Sequence, residues 1–230
     1  MFCATAALAL TGSASAAVVS YSTYIASGVG DTSWVITTAG VASANFGGSD
    51  VTFGGVNWEG SQTNGHPASE TYVAVAGYSL YHSVPGFSWA SNNPTLFYPS
   101  TPTASLLHSG TTLNSVNTTI DINGLTLGQE YMAKFVFADS RTVPSGTTTT
   151  LTALGSDSGA STATTYSYSD GQFLVVTATW TASRAGVSFR PSINGGNFNQ
   201  LNAAQIVAVP EPSAALLGLL APLVLTRRRR

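Results

Sequence analysis

Few residues in this chain of 230 carry side chains able to do chemistry, and they stand far apart. The histidines His66, His82 and His108 lack the spacing of metal ligands, so the sequence predicts no metal centre built on them. Glu59 and Glu70 flank a polar loop, and glycoside hydrolysis needs two carboxylates set across a cleft. Motifs for a nucleophile elbow, a phosphate-binding loop or a dinucleotide site are missing. We therefore expect a non-catalytic protein without a cofactor, and the Glu59–Glu70 pair keeps a glycan-degrading enzyme open as an alternative.

Aspartate side chains offer a weaker hypothesis, for a cation. Asp50, Asp139 or Asp157 with loop carbonyls could bind calcium, which prefers such oxygen ligands. Their spacing does not match an EF-hand. Asp139 and Arg141 follow an apolar run, and a local ion pair that braces a loop is the preferred interpretation of those two residues.

Aromatic residues concentrate in one stretch of the chain, residues 72–98. Sugar-binding proteins hold pyranose faces on such rings, so a glycan site is expected here first. Trp89 would be the stacking ring, with Tyr81 and His82 beside it. The segment 85–94 is long for a hairpin connection, and long loops often carry binding. The competing interpretation is that these rings fill the core of the protein.

Charge excludes one class of partner. Between residues 17 and 208 four basic residues stand against nine acidic ones, a net charge of −5, whereas the whole chain carries −2. A body this acidic, with no basic face, argues against nucleic-acid partners. The single cysteine, Cys3, lies in the N-terminal segment, so the body contains neither a disulfide nor a thiol nucleophile.

Apolar and β-branched residues alternate with polar ones along the body, with Gly, Asn and Pro between the runs. The pattern predicts an all-β fold, an antiparallel β-sandwich that resembles a jelly roll, as one domain over residues 17–208. One short helical turn is expected near Thr103–His108. The predicted strands lie near Val18–Ile25, Trp34–Thr38, Val51–Phe53, Val56–Trp58, Thr71–Ala76, Ser79–His82, Thr118–Ile122, Tyr131–Ala138, Thr148–Leu154, Thr162–Tyr168, Gln172–Thr181, Gly186–Ile193 and Asn202–Ala208.

Two of the predicted strands alternate strongly enough to be central and buried. In the first, Tyr131, Ala133, Phe135 and Phe137 would share one face. In the second, one face would carry Phe173, Val175, Thr177 and Thr179, and the other face would carry Leu174, Val176, Ala178 and Trp180. Tyr131 opens its strand directly after a turn, and its hydroxyl is expected to tie that turn, as at a tyrosine corner.

The N-terminus has the pattern of a secretory signal peptide over residues 1–16. An apolar run, Phe2–Leu10, is followed by small residues and an A-x-A site, which predicts cleavage between Ala16 and Ala17. No Lys or Arg precedes Lys134. The basic n-region is thus missing, either because translation starts further upstream or because the signal is atypical.

The C-terminal residues 209–230 form three parts in order: an extended motif, an apolar stretch and a basic cluster. The prolines fix φ and withhold backbone donors, so the motif should stay extended and accessible. The apolar stretch is rich in helix formers, and the basic end fits a stop-transfer signal that leaves it in the cytoplasm. The motif is Val209, Pro210, Glu211 and Pro212; the membrane-anchor helix includes Ala214, Leu216, Leu217, Leu219, Leu220, Leu223 and Leu225; the cluster is Arg227, Arg228, Arg229 and Arg230.

This order and spacing resemble the PEP-CTERM sorting signal of surface proteins in Gram-negative bacteria that make extracellular polysaccharide. The resemblance covers Val209 to Arg230. It implies processing by an exosortase-type transpeptidase, a transient anchor in the inner membrane, and a final location at the cell surface or outside the cell.

The body carries a second, looser resemblance, to a β module common in PEP-CTERM surface proteins. The matching segments are Ala42–Gly48 with Gly54–Trp58, then Ile122–Tyr131 with Phe135–Arg141, then Leu201–Ile206. The module is similar in architecture to carbohydrate-binding jelly rolls. The sequence therefore favours an exported, non-catalytic surface or matrix protein associated with exopolysaccharide; the alternatives are a carbohydrate-binding module and a glycan-degrading enzyme.

Overall fold

Fifteen β-strands account for most of the chain that the structure describes. The computed structural model describes residues 18–28, 30–46, 48–61, 71–82, 86–88, 106–107, 109–112, 119–138, 148–154, 164–166, 172–194 and 200–210. The strands are β1 (Ser20–Ala26), β2 (Ala42–Asn45), β3 (Val51–Phe53), β4 (Val56–Gly60), β5 (Thr71–Val75), β6 (Tyr78–His82), β7 (Gly86–Ser88), β8 (Ser109–Thr112), β9 (Ile120–Asn123), β10 (Glu130–Phe137), β11 (Thr148–Leu154), β12 (Thr164–Tyr166), β13 (Phe173–Thr181), β14 (Gly186–Asn194) and β15 (Gln200–Ala208). The predicted all-β fold is confirmed.

The described strands form two sheets. The first sheet has nine strands in the order β1-β13-β10-β15-β2-β4-β3, with β8 also paired to β15 and β7 paired to β8. The second sheet has six strands in the order β12-β11-β14-β9-β6-β5. The last strand, β15, thus lies near the middle of the first sheet, between β10 and β2.

The expected antiparallel arrangement is wrong at one place. Strands β2 and β4 pair parallel, with Ala44 opposite Glu59. The reason is local: Gly54 and Gly55 both have positive φ and reverse β3 into β4, as a two-residue hairpin turn requires. Because β4, and not β3, returns beside β2, the two strands run in the same direction.

The main core lies between the two sheets. On β10, Tyr131 and Phe135 face this core while Val136 faces the other way. The ring of Phe135 packs 5.0 Å from that of Phe189 on β14, and Trp180 on β13 lies 5.5 Å from Phe189. The predicted alternation of the two central strands is therefore confirmed, and burial of these aromatic rings supplies much of the hydrophobic stabilisation.

A second apolar layer covers the outer face of the first sheet. Trp34 packs 5.6 Å from Trp58 and 5.9 Å from Phe173, ring centre to ring centre. The strand expected over Trp34–Thr38 is wrong, because this segment is irregular. Trp34 and Ile36 are nevertheless buried. The alternation of apolar residues in this segment therefore comes from a loop that packs flat on the sheet.

Three short strands, β2, β7 and β8, were not expected from the sequence. Strand β2 reads Ala-Ser-Ala-Asn and β8 reads Ser-Gly-Thr-Thr, and most of these residues have low strand propensity. Strand β7 falls inside the segment 85–94, which was expected to be a loop throughout. Of the helical turn expected near Thr103–His108, Leu106 and Leu107 are helical and buried, and the other residues lie outside the described ranges.

Candidate functional site

The two termini of the folded body emerge at the same end of the first sheet. Ser20, at the start of β1, lies opposite Thr179 on β13. Ala208, at the end of β15, lies opposite Tyr131 on β10, which is itself opposite Trp180 on β13. Strands β1 and β15 are three strand spacings apart, about 14 Å. The polypeptide therefore enters and leaves the sandwich side by side.

Three hydrogen bonds hold the chain where it leaves β15. The Val209 N–H donates to the Glu130 carbonyl at 2.8 Å. The side-chain Nε2 of Gln129 donates to the Val209 carbonyl at 2.7 Å and to the Glu130 carbonyl at 3.0 Å. Pro210 follows and is exposed. Of the predicted sorting motif, Val209 and Pro210 thus lie at the surface end of β15, and Glu211 and Pro212 lie outside the described residues.

The remaining predicted trafficking residues also lie outside the described ranges. These are the cleavage residues Ala16 and Ala17, the anchor residues from Ala214 to Leu225, and the cluster Arg227–Arg230. No helix among the residues that the structure describes is long and apolar enough to cross a membrane.

The predicted glycan contacts are described only in part. Tyr81 lies on β6, half-buried, on the face opposite to Leu80, which enters the main core. Its cross-strand neighbours are Tyr72 and Asp121. His82 is the last residue of β6, and Trp89 lies outside the described residues. The grouping expected for a glycan site stays a prediction.

The carboxylate pair is described for one member. Glu59 lies on β4, and its Oε2 is buried without a hydrogen-bond partner. Glu70, like His66 and His108, lies outside the described residues. A carboxylate pair for hydrolysis therefore also stays a prediction.

Of the three aspartates predicted as calcium ligands, Asp50 is described and has a structural role. Its Oδ1 accepts a hydrogen bond from the Gly60 N–H at 2.8 Å, while Asp139, Arg141 and Asp157 lie outside the described residues. Gly60 is tightly packed, since a Cβ there would stand 2.3 Å from the Gly48 carbonyl oxygen. Within the described ranges no group of three or more His, Cys, Asp and Glu residues could hold a metal ion.

Buried amide side chains are the polar groups that sequence reasoning missed. The Ile36 N–H donates to Gln205 Oε1 at 2.9 Å, and Gln205 Nε2 donates to the Ile36 carbonyl at 3.1 Å. The same Nε2 donates to Ser43 Oγ at 3.0 Å. The Gln205 amide thus bonds to both the N–H and the carbonyl of Ile36, as a paired strand would, and fixes the irregular segment onto the first sheet. The available signal was an amide inside the apolar run of β15, because a buried amide needs partners.

Asn202, which lies at a β-bulge nearer the start of β15, also bonds to backbone groups of other segments. Its Oδ1 accepts from the Ala138 N–H at 2.7 Å, and its Nδ2 donates to the Leu107 carbonyl at 2.9 Å. Pairing between β10 and β15 shifts register at this point, which turns Asn202 toward the outer layer. Asn45 Nδ2 donates to the Ser49 carbonyl at 2.8 Å. Asn45, Asn202 and Gln205, which belong to the segments that carry the second resemblance, therefore have structural roles.

The tyrosine corner expected at Tyr131 is present. The Thr126 N–H donates to the Tyr131 hydroxyl at 2.8 Å. Tyr78 packs against Tyr131 with its ring edge-on at 6.1 Å, and burial raises the pKa of Tyr78 above 10.0. This corner fixes the turn that also carries Gln129 and Glu130, and so it supports the exit of the chain.

An exposed polar turn after β1 is organised by Asp31. The Tyr24 hydroxyl donates to Asp31 Oδ2 at 2.6 Å, and the Ser33 hydroxyl donates to Asp31 Oδ1 at 2.7 Å. The hydrogen bond from Tyr24 lowers the pKa of Asp31 below 3.8, and those from Ser33 act in the same direction. Trp34 Nε1 donates to the Asp31 carbonyl at 2.8 Å. This turn directs Trp34 into the outer layer.

Lys134 is the single lysine of the chain and lies half-buried on the outer face of the first sheet. Its Nζ donates to the Trp34 carbonyl. Burial lowers the pKa of the Lys134 ammonium below 10.5. The segments of the outer layer are therefore held by the Lys134 ammonium and by the side-chain amides of Asn202 and Gln205.

Comparison with known proteins yields distant structural neighbours. No protein-family model matches the chain, and no curated protein matches it. Among solved structures, Bacteroides uniformis beta-glucuronidase 2 bound covalently to cyclophellitol-6-carboxylate aziridine is similar, with a TM-score of 0.46 and 13% identity over 74% of this chain and 18% of that chain. A calcium binding mutant of the same enzyme gives a TM-score of 0.45 and 12% identity over the same shares. The chain spans under a fifth of those enzymes, and similarity of this degree carries no argument about function.

Proposed function

We propose that this chain is an exported, non-catalytic surface or extracellular-matrix protein, sorted through a PEP-CTERM signal and associated with exopolysaccharide. On this proposal residues 1–16 direct export, and residues 209–230 hold the precursor in the inner membrane until an exosortase-type enzyme cuts near Pro210–Pro212. The cargo is the β-sandwich, with a jelly-roll-like topology in which most connections between successive described strands cross from one sheet to the other, including all those from β12 to β15.

The observation that carries the proposal is that both termini lie at one end of the first sheet. A precursor with a membrane segment at each terminus must connect its folded body to one bilayer twice. Ser20 and Ala208 are about 14 Å apart at the same end, so short connections reach the bilayer while the whole body stays on one side. Termini at opposite ends would require a long linker that the sequence does not contain.

The geometry of the exit supports recognition of the motif. Bonds from Gln129 and to Glu130 fix Val209, and the exposed Pro210 cannot continue the pairing because it has no N–H. The pairing of β15 therefore ends before Pro210, and the sequence predicts that the motif is extended, which is the form a processing enzyme can bind.

Mass spectrometry of the protein released by its native host tests the proposal. We expect an N-terminus at Ala17 and a C-terminus within or next to the motif. A variant with Pro210→Ala and Pro212→Ala should lose the N-terminal segment normally but stay in the membrane fraction with its tail attached.

A matched control replaces a proline outside the motif and outside the body, Pro222→Ala, and should be released like the wild type. Recovery of the intact chain, with Met1 and Arg230 both present, from the soluble cell interior would contradict the proposal. Hydrolysis of a polysaccharide that disappears in Glu59→Gln would instead favour the glycan-degrading alternative, and glycan binding lost in Trp89→Ala would favour the carbohydrate-binding alternative.

A further inference from the structure

Within the part of the chain that the structure describes, strand β1 is an edge of the first sheet that lacks the usual protection. Among the described strands it pairs with β13 on one side, through all seven residues from Ser20 to Ala26, and with no strand on the other. Edge strands in natural proteins are normally blocked by charges, proline, bulges or a covering segment, because their free N–H and C=O groups pair with other chains. Residues 18–30 contain neither a charge nor a proline.

Exposed apolar side chains concentrate at this edge. Four large hydrophobic residues are exposed in the described part of the chain, and three of them lie on or beside β1: Val18 at 63%, Tyr24 at 41% and Ile25 at 41%. Tyr24 and Ile25 point to opposite faces of the sheet, since successive residues alternate. Both faces of the edge therefore offer apolar surface to a partner strand.

We propose that β1 pairs antiparallel with β1 of a second copy of this chain, so that the first sheets of two molecules form one continuous sheet. The sequence of the strand is complementary to itself in one register, with the two-fold axis at Thr23. In that register Tyr21 lies opposite Ile25 of the second copy, an aromatic and β-branched pair of the stabilising kind, and the axis repeats the pair. Ser22 lies opposite Tyr24, and no like charges meet.

The pairing has a geometric consequence that rests on the proposed function. Antiparallel strands place the terminal ends of the two bodies in opposite directions. Two precursors held in the same membrane point the same way, so they cannot pair through β1. The pairing therefore belongs to released molecules. The area buried by an edge of seven residues is smaller than the roughly 1,000 Å² of a stable interface. The dimer should therefore depend on concentration and form where the protein accumulates.

Disulfide trapping at the two-fold axis tests the pairing directly. Directly opposed residues of antiparallel strands have Cα atoms about 4.5–5.5 Å apart, which a disulfide spans. In a Cys3→Ser background, Thr23→Cys should therefore give a disulfide-linked dimer of the released protein under oxidising conditions. Thr52→Cys is the matched control, because Thr52 is an exposed threonine on β3, at the opposite edge of the same sheet. It should stay monomeric.

A charge at the axis provides a second measurement, by sedimentation of the native protein over a range of concentrations. Thr23→Lys sets two ammonium groups opposite each other and should weaken the dimer at least about tenfold, while Thr52→Lys should leave it unchanged.

Dimers that form equally in both cysteine variants, or in neither, would overturn the pairing, as would a dimer insensitive to Thr23→Lys. If the protein is not released, the proposed sorting fails. The same cysteine variants of the full-length chain, purified in detergent, then decide the pairing independently.

Discussion

Gln205 is the most informative residue to change, because its side chain makes the backbone hydrogen bonds that a neighbouring strand would otherwise make with Ile36. We consider Gln205→Met, which keeps the length and volume of the side chain but removes its donors and acceptor. The variant loses the bonds with the Ile36 N–H and carbonyl and with the Ser43 hydroxyl. The Ser43 hydroxyl oxygen loses one donor, but its own O–H can still donate to another group, whereas the two backbone groups of Ile36 cannot move without the segment.

The cost follows from burial. Ile36 is 7% exposed and Gln205 is fully buried, so water reaches neither backbone group easily. Each orphaned buried group costs about 1–3 kcal/mol, and the apolar gain of methionine returns part of that. We expect Gln205→Met to lower the free energy of unfolding by about 2–4 kcal/mol, a large share of the roughly 5–15 kcal/mol of an ordinary domain.

Gln129→Met is the matched control, because the Gln129 side chain also hydrogen-bonds to the backbone, donating to two carbonyls, but is half-exposed. Water can hydrate those carbonyls after the change, so the loss should stay below about 1 kcal/mol. Urea unfolding supplies both free energies, and hydrogen exchange at the Ile36 amide reports the local effect. Equal losses in the two variants, or unchanged exchange at Ile36, would refute the reasoning.

Gln205→Glu adds a pH test of the same geometry. The carboxylate can accept from the Ile36 N–H but opposes the Ile36 carbonyl, whereas the protonated acid supplies one donor. The pKa of the introduced group is therefore raised in the folded state above its unfolded value of about 4.3. The folded state then holds the proton more tightly, so stability of this variant should fall as pH rises from about 4.3 through the raised pKa.

Three further predictions test the packing, the buried lysine and the tyrosine corner. Gly60→Ala places a Cβ 2.3 Å from a backbone oxygen and should cost about 1–3 kcal/mol by urea unfolding, whereas Gly28→Ala, with open space around it, should cost little. The pKa of Lys134 is lowered by burial, so the unfolded chain holds more protons between that pKa and 10.5, and stability should rise with pH there by a term absent in Lys134→Met. Tyr131→Phe removes the acceptor of one partly buried N–H and should cost about 0.5–1.5 kcal/mol in the same assay, with no loss if the corner is unimportant.

The central strands were predictable because periodicity and burial coincide in them. On β10 and β13 every residue that the alternation assigned to one face lies in the main core, since both strands have neighbours on each side and leave no freedom of register. The turn before Tyr131 was predictable for a similar reason: an aromatic residue opening a buried strand has its hydroxyl at the surface of the core, next to the donors of the preceding turn.

The outer layer was not predictable, because it depends on pairing between distant segments. An alternation of Trp34 and Ile36 has the same pattern whether the segment pairs with a strand or lies on one. The deciding contact is made by Gln205, 169 residues along the chain. Strand β2 escaped prediction because alanine and serine carry little strand preference, and its pairing depends on β15 and β4 on either side.

The candidate site divides in the same way. Trafficking signals are linear segments, so a prediction of them needs only order and composition, and here it stays a prediction. A glycan site is a juxtaposition of side chains from separate strands, and single-sequence reasoning has no access to the distances between Tyr81, His82 and Trp89. Gln129 and Glu130 at the exit belong to this second kind, since they meet Val209 only through the pairing of β10 with β15.

The position of β15 links the fold to the tail that follows it. Strand β15 is the last strand that the structure describes and yet pairs with β10, β2 and β8, so the first sheet cannot be completed until the chain up to Ala208 is free to pair. Edges of β10 and β2 that await this strand are exposed during that interval and are prone to pair with other chains. On the proposed function the sorting motif begins directly after Ala208 and the membrane anchor at Ala214, so the anchor arrests the chain once β15 has emerged. The tether then keeps each copy apart from others while β15 inserts, and cleavage at the motif releases a sheet whose interior strands are already paired.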